Sequence, residues 1–260
     1  MRLTQEEWAN YRRDGYVVRR GVFAPEELDE MKRAGEEVIE QLVAIRQGRR
    51  MPAGAYTFEF ETAAMMVIKW EGDSDVIQGI EPFAHFHPAF ERIAHDPRFL
   101  EPARDILGTE DVGLFTEKLN YKRAHHGGPV VLHQDYPYWV GQVDDIDRIM
   151  TIMLLLDDST LENGCLYVVP GSHEWGEQER KQVDGFGSFE MDDEKFDLSL
   201  RQPVPLAAGD LAMFGPLLVH GSEPNGTDAD RRALLYTYQP AGNRHSLETL
   251  RPLAERIARR

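Results

Sequence analysis

The pattern of apolar and polar residues along the chain changes near residue 110. Upstream of that point, Val38, Leu42 and Ile45 recur at spacings of three or four positions, which is typical of an amphipathic helix. Three upstream segments begin with a capping residue or a proline and end at glycine, as helices do: 4–15, 24–48 and 96–108. We therefore predict that residues 1–110 are mainly helical.

Downstream, short runs rich in β-branched and aromatic residues are separated by glycine, proline, asparagine and aspartate. No helix-length pattern lies between these runs, which argues against a parallel sheet with crossover helices. Many short strands without intervening helices favour a sandwich or barrel, with the jelly roll as the leading option. We predict one domain of 260 residues, with a helical buttress at 1–110, a jelly-roll core at 111–240 and a C-terminal helix at 241–260.

The segment 174–197 interrupts the series of predicted strands. It is polar and acidic and contains three glycines, so we predict a long surface loop. Loops of this length often close over a binding site and exclude water. We expect this segment to be mobile without substrate and to close over the pocket when substrate binds.

The amino-acid composition limits the partners and the cellular compartment that we expect for this protein. The formal net charge of −16 argues against binding to nucleic acid or to an anionic membrane surface, because both attract basic proteins. The single cysteine, Cys165, excludes an internal disulfide and favours a reducing compartment. The first residues lack the apolar core of a signal peptide, so the expected location is the cytoplasm. The sequence carries no indication of oligomeric state.

The stretch VVLHQDYPYW, residues 130–139, contains the first candidates for chemistry. We predict a strand that ends with His133 and Asp135, since residues two apart on a strand point to the same face. His220, near the end of another predicted strand, is a candidate third ligand. Two histidines and one carboxylate on one face of Fe(II) are the ligand set of non-haem oxygenases. A His-x-Asp triplet also recurs by chance, so a histidine without a metal is the alternative.

An arginine that could bind a co-substrate follows the third candidate ligand along the chain. Arg231 begins the predicted strand RRALLYTYQP, eleven residues after His220. An open iron site needs an electron source, and a 2-oxo diacid can supply it if a fixed cation holds its far carboxylate. Arginine grips a carboxylate with two parallel hydrogen bonds, and Ser222 could add a hydroxyl donor. Arg232 should face the other way, and the sequence alone does not decide which arginine points inward.

Four blocks in this order resemble the phytanoyl-CoA dioxygenase family of Fe(II)/2-oxoglutarate oxygenases: LHQD, DDSTLENGCLYVVPGSH, AGDLAMFGPLLVHGS and the position of Arg231. The resemblance covers residues 112–240, with helices before them as that family has. It implies a mainly β fold with flanking helices, namely a double-stranded β-helix, which is a cupin-like jelly-roll barrel.

The resemblance also implies roles for individual residues of this chain. The implied iron ligands, which are also the catalytic residues, are His133, Asp135 and His220. The implied contacts to 2-oxoglutarate are Arg231, Ser222, Lys118 and Asn120. The implied aromatic residues on the substrate side are Tyr136 and Trp139.

The predicted function is an Fe(II)/2-oxoglutarate-dependent dioxygenase that hydroxylates a small-molecule metabolite, consuming dioxygen and releasing succinate and CO₂. Two alternatives stay open: a jelly-roll protein that binds a metal or ligand without catalysis, and an oxygenase that acts on a protein or carrier-bound substrate. A halogenase on this scaffold would need a small residue in place of Asp135 to leave room for halide. The sequence does not name the substrate.

Overall fold

The computed structural model describes residues 1–45, 49–53, 56–61, 66–72, 74–182, 189–191 and 197–243. The helices in these ranges are α1 Gln5–Asp14, α2 Pro25–Ile45, α3 Pro88–Ala94, α4 Pro97–Leu107 and α5 Tyr136–Trp139. The strands are β1 Tyr16–Arg19, β2 Arg49–Ala53, β3 Tyr56–Glu61, β4 Met66–Glu71, β5 Ile77–Glu81, β6 Val112–Lys122, β7 Val130–His133, β8 Met150–Leu155, β9 Leu166–Val168, β10 Arg180–Gln182, β11 Phe189–Met191, β12 Gln202–Val204, β13 Leu211–Phe214, β14 His220–Ser222 and β15 Arg231–Pro240.

The three helices predicted from local signals are present as α1, α2 and α4. At the start of α1, the Glu7 amide donates to Thr4 Oγ1 over 3.1 Å, and the Thr4 amide donates to a Glu7 carboxylate oxygen over 2.8 Å. This is the predicted capping box. The helix ends at Gly15, whose φ of +80° is readily adopted only by glycine.

Two antiparallel sheets form the barrel. The major sheet has the strand order β1-β13-β8-β15-β6-β5-β4-β3-β2, and the minor sheet has the order β12-β9-β14-β7. An apolar layer between the sheets takes residues from both, including Leu155 and Ala233 from the major sheet and Val168 from the minor sheet. The predicted jelly-roll barrel with flanking helices is therefore confirmed.

Helices α2, α3 and α4 cover the outer face of the major sheet and share its apolar core. The hydroxyl groups of Tyr236 and Tyr238 on β15 donate to the carbonyls of Phe90 and Ala94 on α3, over 2.9 and 2.8 Å. Strand β8 is buried on both faces, which explains why its sequence MTIMLL is apolar without alternation. These contacts fix the position of β15, the strand that begins with Arg231.

The first 110 residues contain more than a helical buttress. After α2 the chain forms β2 to β5, which extend the major sheet beyond β6. In β4 the buried residues Met66, Ile68 and Trp70 alternate with half-buried ones, as expected for a strand whose two faces differ. This period of two was not predicted, because it lies between strong helix signals in the sequence.

Two further predictions concern segments that the structure describes only in part. Within 174–197, strands β10 and β11 pair antiparallel, so this segment is not wholly irregular as predicted. Residues 183–188 and 192–196 lie outside the described ranges, and closure of the segment over a pocket stays a prediction. The predicted C-terminal helix falls almost entirely on 244–260, also outside those ranges. No helix in the described ranges is long and apolar enough to cross a bilayer.

Candidate active site

Strand register brings the two candidate histidines together. Strand β7 ends at His133 and strand β14 begins at His220, and these two residues are direct partners in the antiparallel pair. Their ring centroids lie 4.3 Å apart. The pairing places two imidazoles from distant parts of the sequence on one side of the minor sheet.

Asp135 lies outside the strand to which the sequence analysis assigned it. Strand β7 stops at His133, and Asp135 immediately precedes α5 with φ −73° and ψ −25°. The turn still brings its carboxylate to both rings, since Oδ1 lies 3.6 Å from His133 Nε2 and Oδ2 lies 3.8 Å from His220 Nε2. One donor atom from each residue lies within 4.8 Å of the others, which is compatible with three ligands on one metal ion.

The backbone orients both imidazoles. His133 Nδ1 lies 2.8 Å from the carbonyl oxygen of Val131, and His220 Nδ1 lies 2.9 Å from that of Leu218. A carbonyl oxygen only accepts hydrogen bonds, so each Nδ1 carries the proton and donates it. Each Nε2 is therefore unprotonated, and its lone pair is available to a metal ion beside Asp135, as metal binding requires.

Burial and neighbouring charges set the protonation of this cluster. Burial, followed by repulsion from His133, lowers the pKa of His220 to about 4 in spite of the attraction of Asp135. Burial alone would raise the pKa of Asp135, but the two histidines outweigh it and hold that pKa below its ordinary value. At neutral pH the site offers an ionised carboxylate and a neutral His220 imidazole, which are the forms that bind a divalent cation. This donor set fits Fe(II).

Gln134, between the two ligands of the His-x-Asp motif, joins three segments of the site. Its side-chain nitrogen donates to the carbonyls of Gly176 and Leu217 over 2.9 and 2.7 Å, and its side-chain oxygen accepts from the Gln178 amide over 2.8 Å. Leu217 shortly precedes His220, and the other two residues belong to the segment 174–197. Gln134 was not among the predicted site residues, because its place between two ligands was its only signal in the sequence.

Replacing Gln134 with leucine is expected to lower the free energy of unfolding by about 2 kcal/mol, because three partly buried backbone groups would lose their hydrogen bonds to this side chain. The matched control is Gln142→Leu, since the Gln142 side chain makes a single described hydrogen bond, to the Tyr138 carbonyl. Urea unfolding of both variants measures the difference. Equal unfolding midpoints for the two variants would contradict the role assigned to Gln134.

Arg231 points into the barrel. It lies on the same face of β15 as Ala233, which packs between the two sheets. Its Nε lies 3.3 Å from Ser159 Oγ, and its exposed fraction is 2%. No carboxylate oxygen among the described residues lies within 4.0 Å of this guanidinium. Burial lowers the pKa of Arg231 to about 10. Ser159 was not predicted to lie here, because it is far from Arg231 along the chain.

Arg232 points outward, as expected for the neighbour of an inward residue. Its Nε and one terminal nitrogen donate to the two carboxylate oxygens of Asp157 over 2.7 and 2.9 Å. The other terminal nitrogen donates to Glu36 on α2 over 3.1 Å. Arg232 therefore joins the sheet to a helix, while Arg231 remains available to an anion inside the barrel.

The other predicted co-substrate residues lie around the same interior. Asn120 and Lys118 on β6 are the register partners of Ala233 and Leu235 on β15, so they share the inward face. The Lys118 ammonium lies 3.1 Å from a Glu81 carboxylate oxygen. Burial lowers the pKa of Lys118, but Glu81 and then Asp135 raise it above its ordinary value, which places Lys118 near the metal ligands.

Ser222 is half-buried on β14, where Leu166 of β9 is its register partner. Within the described ranges, the hydroxyl that bonds to Arg231 is that of Ser159 and not that of Ser222. The predicted role of Ser222 as a co-substrate contact therefore stays a prediction.

The aromatic residues after the His-x-Asp motif have different surroundings. Trp139 is buried in a small apolar cluster, with its ring centroid 5.4 Å from that of Phe115. The Tyr136 amide donates to the Pro216 carbonyl over 3.0 Å. Tyr138, which the sequence analysis did not name, stands edge-on to His133 with ring centroids 5.9 Å apart. Contact of Tyr136 or Trp139 with a substrate stays a prediction.

The comparison with known families agrees with this geometry. The sequence model described as "Phytanoyl-CoA dioxygenase (PhyH)" matches residues 11–233. This chain belongs to the phytanoyl-CoA dioxygenase family. The resemblance stated from sequence motifs is thus confirmed, and so is the predicted class of non-haem iron dioxygenases that use 2-oxoglutarate.

Individual relatives extend the likeness over most of the chain. "Phytanoyl-CoA dioxygenase domain-containing protein 1" of Danio rerio is 26% identical over 272 aligned positions, which cover 91% of this chain and 89% of that protein. EctD from S. alaskensis, whose structure holds 2-oxoglutarate and 5-hydroxyectoine, is similar with a TM-score of 0.70 and 24% identity, covering 93% and 77% of the two chains. The epimerase SnoN, in complex with Fe³⁺, alpha ketoglutarate and nogalamycin RO, is similar with a TM-score of 0.68 and 25% identity, covering 92% and 84%.

Proposed function

We propose that this protein is an Fe(II)/2-oxoglutarate-dependent dioxygenase that hydroxylates a small-molecule metabolite. The observation that carries the proposal is one interior that contains both a complete set of metal ligands and an inward arginine. The ligands are His133, Asp135 and His220, and the arginine is Arg231. A jelly-roll protein that only bound a ligand would not need both features, so catalysis is the better explanation.

The residues of the chain have separable tasks in this reaction. When bound, iron would bring 2-oxoglutarate and dioxygen together, so that oxidative decarboxylation to succinate and CO₂ places one oxygen atom of O₂ in succinate and the other in the hydroxylated substrate. His133, Asp135 and His220 would hold the metal through three donor atoms, which would leave its remaining positions to co-substrate and dioxygen. Arg231 binds the distal carboxylate of 2-oxoglutarate through its guanidinium. The apolar layer between the sheets limits the access of water to the interior.

Further contacts are assigned by position on the inner face. Asn120 and Lys118 follow one another along β6 from the Arg231 end of the barrel towards the metal ligands, which supports their assignment to the co-substrate. We add Tyr138 to Tyr136 and Trp139 as a candidate for the substrate side, because its ring already contacts His133. Ser222 remains a candidate donor to 2-oxoglutarate.

The proposed substrate class and cellular location are supported by the related structures, the net charge and Cys165. The ligands named in the two related structures, 5-hydroxyectoine and nogalamycin RO, are small molecules, which favours a metabolite over a protein substrate. The net charge of −16 favours neither nucleic acid nor an anionic membrane as partner. Cys165 is a buried free thiol, which supports a reducing compartment and hence the cytoplasm.

Screening a metabolite panel for substrate-dependent succinate release tests the proposed function. A true substrate should release succinate in proportion to its own consumption, and isotopically labelled dioxygen should place one labelled oxygen atom in the product. Succinate release that no metabolite stimulates, together with stimulation by a protein or carrier-bound substrate, would favour the alternative instead.

A further inference from the structure

A carboxylate on the inner face of the major sheet, that of Glu81 at the end of β5, has no part in the proposed function. Its Oε2 lies 3.1 Å from the Lys118 ammonium, and its Oε1 accepts a hydrogen bond from Thr116 Oγ1 over 2.9 Å. Lys118 lies on the inward face of β6 as the register partner of Leu235. Because the ion pair joins the two side chains, the Glu81 carboxylate lies inside the barrel as well.

Water reaches this ion pair although it lies inside the barrel. The exposed fraction of the side chain is 40% for Lys118 and 29% for Glu81, against 14% for Asp135 and 10% for His220. Inward side chains with such exposure line an open part of the interior. Lys118 also interacts electrostatically with Asp135, so this open space adjoins the metal ligands. A ligand that enters from solvent can therefore reach the Glu81 carboxylate beside the metal site.

Glu81 lies far from the end of the barrel that contains Arg231. Its carboxylate bridges Lys118 and Thr116, and Thr116 is the more distant of the two from Arg231 along β6. At about 3.4 Å per residue, Thr116 lies roughly 20 Å along β6 from Lys122, the register partner of Arg231. A five-carbon diacid held at Arg231 is much shorter than this span, and Glu81 would repel its negative charges. Glu81 therefore faces the space left to the substrate.

Lys118 alone does not neutralise this region once the site is loaded. The Lys118 ammonium is attracted by Asp135 as well as by Glu81. Asp135 and 2-oxoglutarate together bring more negative charge than Fe(II) neutralises, so Lys118 would then lie between two negative groups. A second cation beside Glu81 would be favourable there. Each Glu81 oxygen accepts one hydrogen bond from the described residues and keeps a lone pair for such a cation.

Strand β6 also holds the turn that follows Glu81. On the outer face, a carboxylate oxygen of buried Glu117 accepts a hydrogen bond from the Ala84 amide over 3.1 Å. On the inner face, Thr116 and Lys118 hold the Glu81 carboxylate itself. Three consecutive residues of β6 thus fix the end of β5 from both sides. The carboxylate is oriented before a ligand arrives, which lowers the entropic cost of binding.

We propose that Glu81 binds an ammonium or other N–H cation of the substrate, so that the substrate is an amine-bearing small metabolite. The inference rests on the proposed function, because it takes a small-molecule substrate beside the metal ligands. Tyr138 interacts electrostatically with Lys118, and its ring stands edge-on to His133, so an aromatic ring adjoins the same space. A carboxylate and an aromatic ring together suit an organic cation. With its charged group held at Glu81, the rest of the molecule extends towards the metal ligands.

Anaerobic calorimetric titration of the protein loaded with Fe(II) and 2-oxoglutarate tests this assignment. The probes are amino acids, amino alcohols and diamines, each paired with its fully N-acetylated derivative, which keeps the carbon skeleton but lacks the cation. In the wild type, at least one amine should bind about ten- to a hundredfold more tightly than its N-acetyl partner. Glu81→Gln should reduce this preference to within about threefold and leave the affinity for 2-oxoglutarate within about twofold.

The matched control is Glu110→Gln, because Glu110 pairs with Arg2 at the surface over 2.6 Å and its loss should change neither affinity. Kinetics give a readout that a structural role would not move in the same way. The preferred amine should stimulate succinate release, and Glu81→Gln should raise its KM while leaving kcat nearly unchanged, as expected for a lost binding contact. Glu81→Ala is the second neutral variant if the glutamine variant does not fold.

The outcomes separate this inference from the proposed function. A wild-type protein that binds 2-oxoglutarate but prefers no amine to its N-acetyl partner would overturn the inference alone. An undiminished preference in both neutral variants would also overturn it, and so would an equal loss of affinity for both members of a pair, because Glu81 would then support the fold. Failure of the wild-type protein to bind 2-oxoglutarate would overturn the proposed function and, with it, the inference.

Discussion

Replacing His133, Asp135 or His220 with alanine is expected to abolish tight Fe(II) binding and to reduce turnover more than about 100-fold in each case. Each residue supplies one of three donors that lie within 4.8 Å of one another, and a metal held by two donors would exchange readily with solvent. The fold should survive, because these side chains surround a shared polar space rather than fill the apolar core. Iron content after anaerobic loading and substrate-dependent succinate release measure the two effects.

The matched control for these variants is His125→Ala. His125 is exposed, and its ring nitrogen contacts Asp228 at the surface over 2.7 Å, so its loss should leave both iron content and turnover unchanged. Circular dichroism during heating checks that each variant is folded. Full turnover in all three ligand variants would contradict the iron assignment.

Arg231→Ala is expected to raise the 2-oxoglutarate requirement by about tenfold to several hundredfold. A buried charge-assisted contact with a carboxylate contributes roughly 1.5–3 kcal/mol, and about 1.4 kcal/mol corresponds to tenfold in binding. Arg231→Lys should recover only part of the loss, since an ammonium group cannot reproduce two parallel hydrogen bonds. Titration of 2-oxoglutarate at saturating substrate measures the effect.

The Arg232→Ala variant distinguishes a role in co-substrate binding from a role in stability at the outer surface of the sheet. It should leave the 2-oxoglutarate requirement nearly unchanged, because this side chain binds Asp157 and Glu36 outside the barrel. It should instead lower the free energy of unfolding by about 1–3 kcal/mol, since half-buried Asp157 would keep Lys32 but lose both hydrogen bonds from the Arg232 guanidinium. A weakened 2-oxoglutarate response in Arg232→Ala with a normal response in Arg231→Ala would reverse the two assignments.

Local signals predicted the helices well, because a capping box and a terminal glycine act within a few residues. Thr4, Glu7 and Gly15 therefore define α1 without reference to the rest of the chain. Strands β2 to β5 were missed because their stability depends on a neighbour, β6, that follows later in the sequence. Apolar residues do alternate in β4, but this alternation alone did not identify a strand, because the neighbouring strands of the sheet were not known from the sequence.

The kind of site could be predicted from the types of residue, whereas the relative positions of those residues could not. Histidine, aspartate and histidine in suitable motifs indicated a metal, but only the pairing of β7 with β14 shows that His133 and His220 face each other. Asp135 reaches them through a turn and not through strand alternation. Lys122 and Arg231 are neighbours only through the register of β6 and β15, so no local pattern could have paired them.

The most direct test of the central claim is anaerobic addition of Fe(II) and then 2-oxoglutarate to the purified protein, followed by visible absorption spectroscopy. The wild-type protein should develop the charge-transfer band of the iron chelate only when both are present, and Arg231→Ala should need more 2-oxoglutarate to reach the same intensity. Asp135→Ala should give no band. Absence of the band in wild-type protein that is folded and exposed to excess of both would contradict the assignment of this barrel as an Fe(II)/2-oxoglutarate site.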